Sequence, residues 1–192
     1  MTDSTPLTER FDAALVYASA AHRTHFRKGT TIPYLSHLMG VASIALENGA
    51  DEDQAIAALL HDAVEDQGGA PRLADIRAKF GDRVADIVYH CTDTDIEPKP
   101  AWRPRKEAYL DHLSSVPKDA LEVSLADKTH NAGAILADLH CHGDQLWGRF
   151  NGGREGSLWY YRSLSDRFQE LVPGPGADRL SRLVDEMERL ST

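Results

Sequence analysis

The chain has 192 residues, 42% hydrophobic and 27% charged, a globular composition sized for one domain around one buried core. Its net charge of −9 repels a phosphate backbone or an anionic bilayer, which excludes nucleic-acid polymers and membrane surfaces as general partners. Cys91 and Cys141 stand far apart and belong to no C-x-x-C pair, so they form neither a disulfide framework nor a thiolate zinc site. The N-terminal MTDSTPLTERF lacks a signal-peptide core, and no apolar run reaches the ~18 residues a membrane span needs. The expectation is a cytoplasmic protein, with a small phosphorylated ligand still open if cations gather locally.

Helical periodicity dominates the chain. Thr8 is placed to cap a first helix in which Phe11, Ala14, Leu15, Ala18 and Ala21 recur at spacings of three and four. RKGTTIPY interrupts it through Gly29 and Pro33. A second helix is predicted from about Ser36 to Asn48, and a third from near Asp51 through AIAALLHDAVED to a stop at Gly68-Gly69. Short helices follow around Arg72–Phe80 and Asp82–Cys91.

TDTDIEPKPAWRP reads as a proline-rich loop, with Pro104 opening the next helix at its first turn. That helix runs to about Ser115, and Pro117 starts a longer one ending near Leu139. CHGDQLWGRFNGGREG reads as a glycine-rich loop and SLWYYRSLSDRFQELV as a helix stopped by PGPG. ADRLSRLVDEMERL closes the chain as an amphipathic helix, packing either on its own domain or across a homodimer. The fold class expected is an all-α, single-domain helical array over residues 1–192.

The most informative segment is His61-Asp62-Ala63-Val64-Glu65-Asp66. On a continuous helix His61 and Glu65 are i, i+4, as are Asp62 and Asp66, so all four polar side chains share one side of the helix end. Three carboxylates after the apolar run AIAALL repel one another and are costly near a core without a cation. A divalent metal supplies one and accepts imidazole and carboxylate together; a solvated helix end is the plain alternative. Partners lie on two other predicted helices. His37 sits one turn into the second, and Asp127, with Asn131 four residues on, follows the apolar run LEVSLA.

HRTHFRKGTTIPYLSHLMGVASI, AALLHDAVED, KFGDRVADIV and SLADKTHNAGAILADL, in that order over about residues 10–140, resemble successive motifs of the HD-domain phosphohydrolases. More narrowly they look like the hydrolase domain of RelA/SpoT proteins and the stand-alone small alarmone hydrolases, among them the metazoan SpoT homologues. The resemblance implies an all-helical HD fold holding one divalent metal, usually manganese, on His37, His61, Asp62 and Asp127. It implies that Glu65 and Asp66 position and activate the attacking water, that Arg27 and Lys28 contact the nucleotide, and that Asn131 faces its sugar and phosphate. The roles make physical sense. A bound metal acidifies water and neutralises charge on a phosphoryl oxygen, a carboxylate accepts or orients the water proton, and Arg27 offers a planar fork for phosphate or base. Two solvated loop charges are the bland reading of Arg27-Lys28.

The sequence departs from the family where Leu38 follows His37 in place of proline, and where Gln67 follows the acidic pair. Residues 141–192 match no motif of the family. There, Trp159-Tyr160-Tyr161 with Trp147 and Phe150 read either as a buried seam or as a base pocket, and Arg149 and Arg154 as solvated charges or phosphate contacts. The activity implied is removal of the 3′-pyrophosphate from (p)ppGpp, giving GDP or GTP and pyrophosphate. Two alternatives stay open: phosphatase or pyrophosphohydrolase action on another nucleotide, such as the 2′-phosphate of NADPH or an adenosine alarmone, and a non-catalytic HD domain that binds a nucleotide.

Overall fold

The computed structural model describes residues 6–66, 68–92 and 101–191, the Asp66 side chain excepted. The middle of the TDTDIEPKPAWRP segment (93–100) and Gln67 lie outside the described residues. The chain groups into two compact units, Met1–Asp95 and Ile96–Thr192.

The first unit holds α1 (Glu9–Ala21), α2 (Leu35–Glu47), α3 (Glu52–Leu60), the single turn α4 (Ala63–Asp66), α5 (Gly69–Phe80) and α6 (Asp82–Cys91). Helix α1 starts where expected: the Thr8 side chain accepts from the Arg10 N–H. Helix α3 starts in a capping box, the Asp51 side chain accepting from the Gln54 N–H and the Gln54 side chain from the Asp51 N–H. Its residues Ala55–Leu60 are at most 1% exposed. A helix apolar on every face has to be surrounded, and α1, α2 and α6 all pack on α3. Gly81 turns the chain from α5 into α6 at φ +96°, a conformation that strains any residue with a Cβ.

The predicted third helix is not continuous. Its ladder lapses at His61-Asp62 and resumes as α4, with His61 itself still in helical dihedrals, so the HDAVED side chains do not lie along one unbroken helix.

RKGTTIPY is an ordered bend rather than a plain break. Phe26 and Pro33 form an isolated antiparallel bridge, with the Arg27 N–H donating to the Ile32 carbonyl at 2.9 Å and the Tyr34 N–H to the His25 carbonyl at 2.8 Å. Arg27 and Lys28 sit at the tip of this small hairpin.

The second unit holds α7 (Trp102–His112), a 3-10 turn (Leu113–Ser115), α8 (Lys118–His142), a 3-10 stretch (Gly143–Arg149), α9 (Gly153–Leu171) and α10 (Pro175–Leu190). Helix α7 begins two residues before Pro104, whose missing N–H is harmless in a first turn. Most of the predicted glycine-rich loop is in fact 3-10 helix and the start of α9. Leu180, Val184 and Met187 of α10 are fully buried, and α10 packs on α8 and α9, so its apolar face is covered within its own unit. Among the described residues no helix is long and apolar enough to cross a membrane.

Candidate active site

In the first unit, His37 lies in the first turn of α2 and His61 at the C-terminal end of α3, 1% and 2% exposed. Their rings meet edge to face, with centroids 5.2 Å apart. Asp62, in the turn after α3, brings one carboxylate oxygen, Oδ2, to 3.0 Å from His61 Nε2 and 3.5 Å from His37 Nε2. The His61 Nδ1–H donates to the Ala58 carbonyl at 2.8 Å. In a neutral ring this makes Nε2 the lone-pair nitrogen. A lone pair and a carboxylate oxygen then face each other at contact distance, an arrangement that calls for a cation. Imidazole nitrogens and a carboxylate converging with fixed ring orientation are the donor set a divalent transition metal takes, so the residues fit the ion that the sequence pattern implies.

Glu65 stands on α4, one turn beyond Asp62, and is half-buried; the Asp66 side chain lies outside the described residues. Arg27 and Lys28 line an open cleft of about 450 Å³ with Thr24, His25, Gly29 and Tyr34.

Two neighbours of this cluster lie within a quoted motif, yet sequence reading gave neither a role. Tyr34 donates its hydroxyl to Asp62 Oδ2 at 2.6 Å. His22, 2% exposed, stacks on the Tyr34 ring at 5.1 Å, and burial holds its pKa down to about 4, against the raising effect of Asp62.

In the second unit Asp127 sits mid-way along α8, 6% exposed. It accepts from Lys128 Nζ and from Asn131 Nδ2, each at 2.6 Å. Burial pulls the Lys128 pKa down, but the Asp127 carboxylate together with Tyr109 and Tyr160 outweighs it and holds the ammonium charged, well above its ordinary value. Lys128 belongs to the ADK run, yet sequence reading gave it no role.

Asn131 and Lys128 line a cavity of about 170 Å³ with Trp102, Lys106, Phe150, Ser157, Tyr160 and Tyr161. The aromatic run is therefore both seam and lining: Tyr160 and Tyr161 are buried and still face this space. Trp102 lies against Gly152 and Gly156 at the start of α9 and meets Trp159 and Tyr160 edge to face, at 6.3 and 6.2 Å. The Arg103 guanidinium caps Trp159 at 3.3 Å, and Lys106 Nζ lies 4.9 Å from the Tyr160 ring centre. Arg149 is engaged by Asp138 at 2.9 Å, and Arg154 is exposed.

The HD domain matches residues 14–157, across both units. The chain belongs to the HD-domain family. This HD protein is 37% identical over 128 residues to the guanosine-3′,5′-bis(diphosphate) 3′-pyrophosphohydrolase MESH1 of Xenopus tropicalis, covering 62% of this chain and 69% of that one. The Drosophila melanogaster MESH1 is 31% identical over 72% of this chain and 74% of its own. The bifunctional (p)ppGpp synthase/hydrolase SpoT of Escherichia coli is 31% identical over 64% of this chain, a stretch that makes up 18% of the bacterial enzyme. Among solved structures, one described as a metazoan orthologue of SpoT that hydrolyses ppGpp and plays a role in starvation responses superposes with a TM-score of 0.74, covering 97% of both chains at 27% identity. A Listeria monocytogenes EGD-e protein superposes at 0.67, covering 78% of this chain and 96% of its own at 30% identity.

Proposed function

We propose that this HD-domain protein is a metal-dependent hydrolase that removes the 3′-pyrophosphate of guanosine tetra- or pentaphosphate. The observation that carries this reading is the facing pair of acceptors, His61 Nε2 and Asp62 Oδ2, in a chain whose relatives of similar size are ppGpp pyrophosphohydrolases. His37, His61 and Asp62, joined by Asp127 as the family pattern implies, would hold one divalent ion, for which we favour Mn2+. When bound, such an ion supplies a Lewis acid and brings the pKa of water toward neutrality.

The chain's own residues do the rest. Glu65 and Asp66 orient a water molecule and take its proton. The water oxygen bonds to the phosphorus carried on the nucleotide's 3′ oxygen, the bond from that phosphorus to the 3′ oxygen breaks, and the 3′ oxygen regains a proton. Pyrophosphate and GDP, or GTP, are the products. Arg27 and Lys28 supply positive charge for an anionic substrate on a chain whose overall charge opposes it. Asn131 meets the sugar and phosphate, and the aromatic walls of Trp102 and Tyr160 with Lys106 suit a base and its phosphates. We place the enzyme in the cytoplasm, where guanosine nucleotides are made and used.

The test is pyrophosphate release from ppGpp with manganese, with chelator, and with Asp62→Asn or His61→Ala. Release that requires manganese and is lost in both variants, with helical content unchanged, is expected. Full activity in either variant removes this site from the mechanism. Metal-dependent phosphate release from NADPH without turnover of ppGpp reassigns the substrate and keeps the site.

A further inference from the structure

We propose that Tyr34 is a positioning residue that serves both halves of the first unit's site. Its hydroxyl sets the Asp62 carboxylate for a divalent ion, and its ring anchors the Arg27 side chain at the mouth of the basic cleft. The metal half rests on the geometry of the first unit; the Arg27 half rests on the substrate reading above.

Tyr34 stands at the N-cap of α2, with φ −60° and ψ −28° and no side-chain capping bond. Ser, Thr, Asp and Asn are favoured there because they satisfy a free helix N–H, and a tyrosine does not. Its hydroxyl is used elsewhere, on Asp62 Oδ2 at 2.6 Å, the oxygen that both His37 and His61 approach. A donor on a ligating carboxylate fixes its rotamer and lowers the cost of holding it ready beside two imidazoles.

The ring is clamped as firmly as the hydroxyl. One contact is the His22 ring, nearly parallel at 17° and 5.1 Å, and a second is the His37 ring edge to face at 5.4 Å. Neither His22 nitrogen hydrogen-bonds among the described residues, so that ring acts as a flat platform. The Arg27 guanidinium lies 5.7 Å from the Tyr34 ring centre, and the Tyr34 N–H closes the hairpin on the His25 carbonyl. One side chain thus ties the hairpin that carries Arg27 and Lys28 to the carboxylate between the two histidines.

Two substitutions separate the two jobs. Tyr34→Phe removes the hydroxyl and keeps the ring. Manganese binding, measured by free-ion electron paramagnetic resonance without substrate, should weaken by about 10- to 100-fold. At saturating manganese its KM for ppGpp should equal that of the unmodified protein. Tyr34→Leu also removes the ring and should raise KM two- to fivefold, on the order expected for one exposed cation–π contact. Tyr34→Met gives the same reading should the leucine variant not fold. Unchanged manganese affinity in Tyr34→Phe overturns the Asp62 role. Equal KM values in Tyr34→Phe and Tyr34→Leu overturn the Arg27 role. Because the manganese titration needs no substrate, inactivity toward ppGpp in the unmodified protein refutes the substrate reading and leaves the metal half of this proposal to be judged separately.

Discussion

Gly152→Ala offers a sharp test of how the second-unit cavity is built. Gly152 has φ −81° and ψ −7°, a conformation open to any residue, so alanine carries no backbone strain there. By unfolded-state entropy alone the substitution is neutral or stabilising by a few tenths of a kcal/mol. Its Cβ, however, would lie 2.6 Å from Cη2 and 2.7 Å from Cζ2 of Trp102. Carbon atoms rest at roughly 3.5–4.0 Å, so the indole must retreat by about 1 Å. That shift disturbs its edge-to-face contacts with Trp159 and Tyr160 and its place in the cavity wall. Overpacking of this kind costs about 1–3 kcal/mol. In a chain this long that lowers Tm by about 2–12 °C. Thermal denaturation followed by circular dichroism reads the loss. The double variant Gly152→Ala with Trp102→Leu should recover part of it, showing a coupling of about 1 kcal/mol or more. A Tm for Gly152→Ala at or above that of the unmodified protein refutes the packing argument. So does a double variant whose loss is the simple sum of the singles.

Other expectations follow from the same reasoning. Thermal shift with manganese at 100 times its dissociation constant should show about 2.7 kcal/mol of added stability, abolished by chelator and by Asp62→Asn. Asp127→Ala should destabilise the ion-free protein by about 3 kcal/mol, measured by urea denaturation, because it strands the largely buried Lys128 ammonium. Hydrogen bonds from Thr8 and the nearby Arg10 hold the Glu52 carboxyl below its ordinary pKa. Its contribution is therefore present above the usual glutamate range and is lost as pH falls through the lowered value. Glu52→Gln should flatten that acid limb of the stability curve, and an unchanged limb counts against it.

Much of the fold was legible because helices announce themselves locally. The threes-and-fours spacing of α1, the Thr8 cap, the Asp51 start and the Asn48-Gly49 stop are all local signals, and α1, α2 and the start of α3 stand within a few residues of their predicted places. The family and the reaction class were legible in HDxxED together with its flanking PYLSH and ADK motifs. The break at His61-Asp62 was not, because apolar periodicity is silent across a polar cluster. Tyr34 was missed because its role depends on a contact with Asp62 made by folding, and Trp102's part in the second-unit cavity because its two glycines lie far from it in sequence. Lys128 was quoted within a motif without a role, since a lysine beside an aspartate on a helix usually faces water; here it is largely buried against its neighbour.

The lapse of the helix after Leu60 bears on why two adjacent residues can serve one ion at all. Consecutive side chains on an unbroken α-helix diverge by about 100°, so a histidine and the aspartate after it would aim at different neighbours. Here the two end groups nevertheless stand 3.0 Å apart, at the point where the helical ladder of α3 lapses although His61 itself keeps helical dihedrals. An adjacent pair of ligands is in this sense a marker of chain geometry as well as of chemistry. In this chain the pair sits where α3 gives way to the single turn α4, so that junction belongs to the centre along with the two side chains.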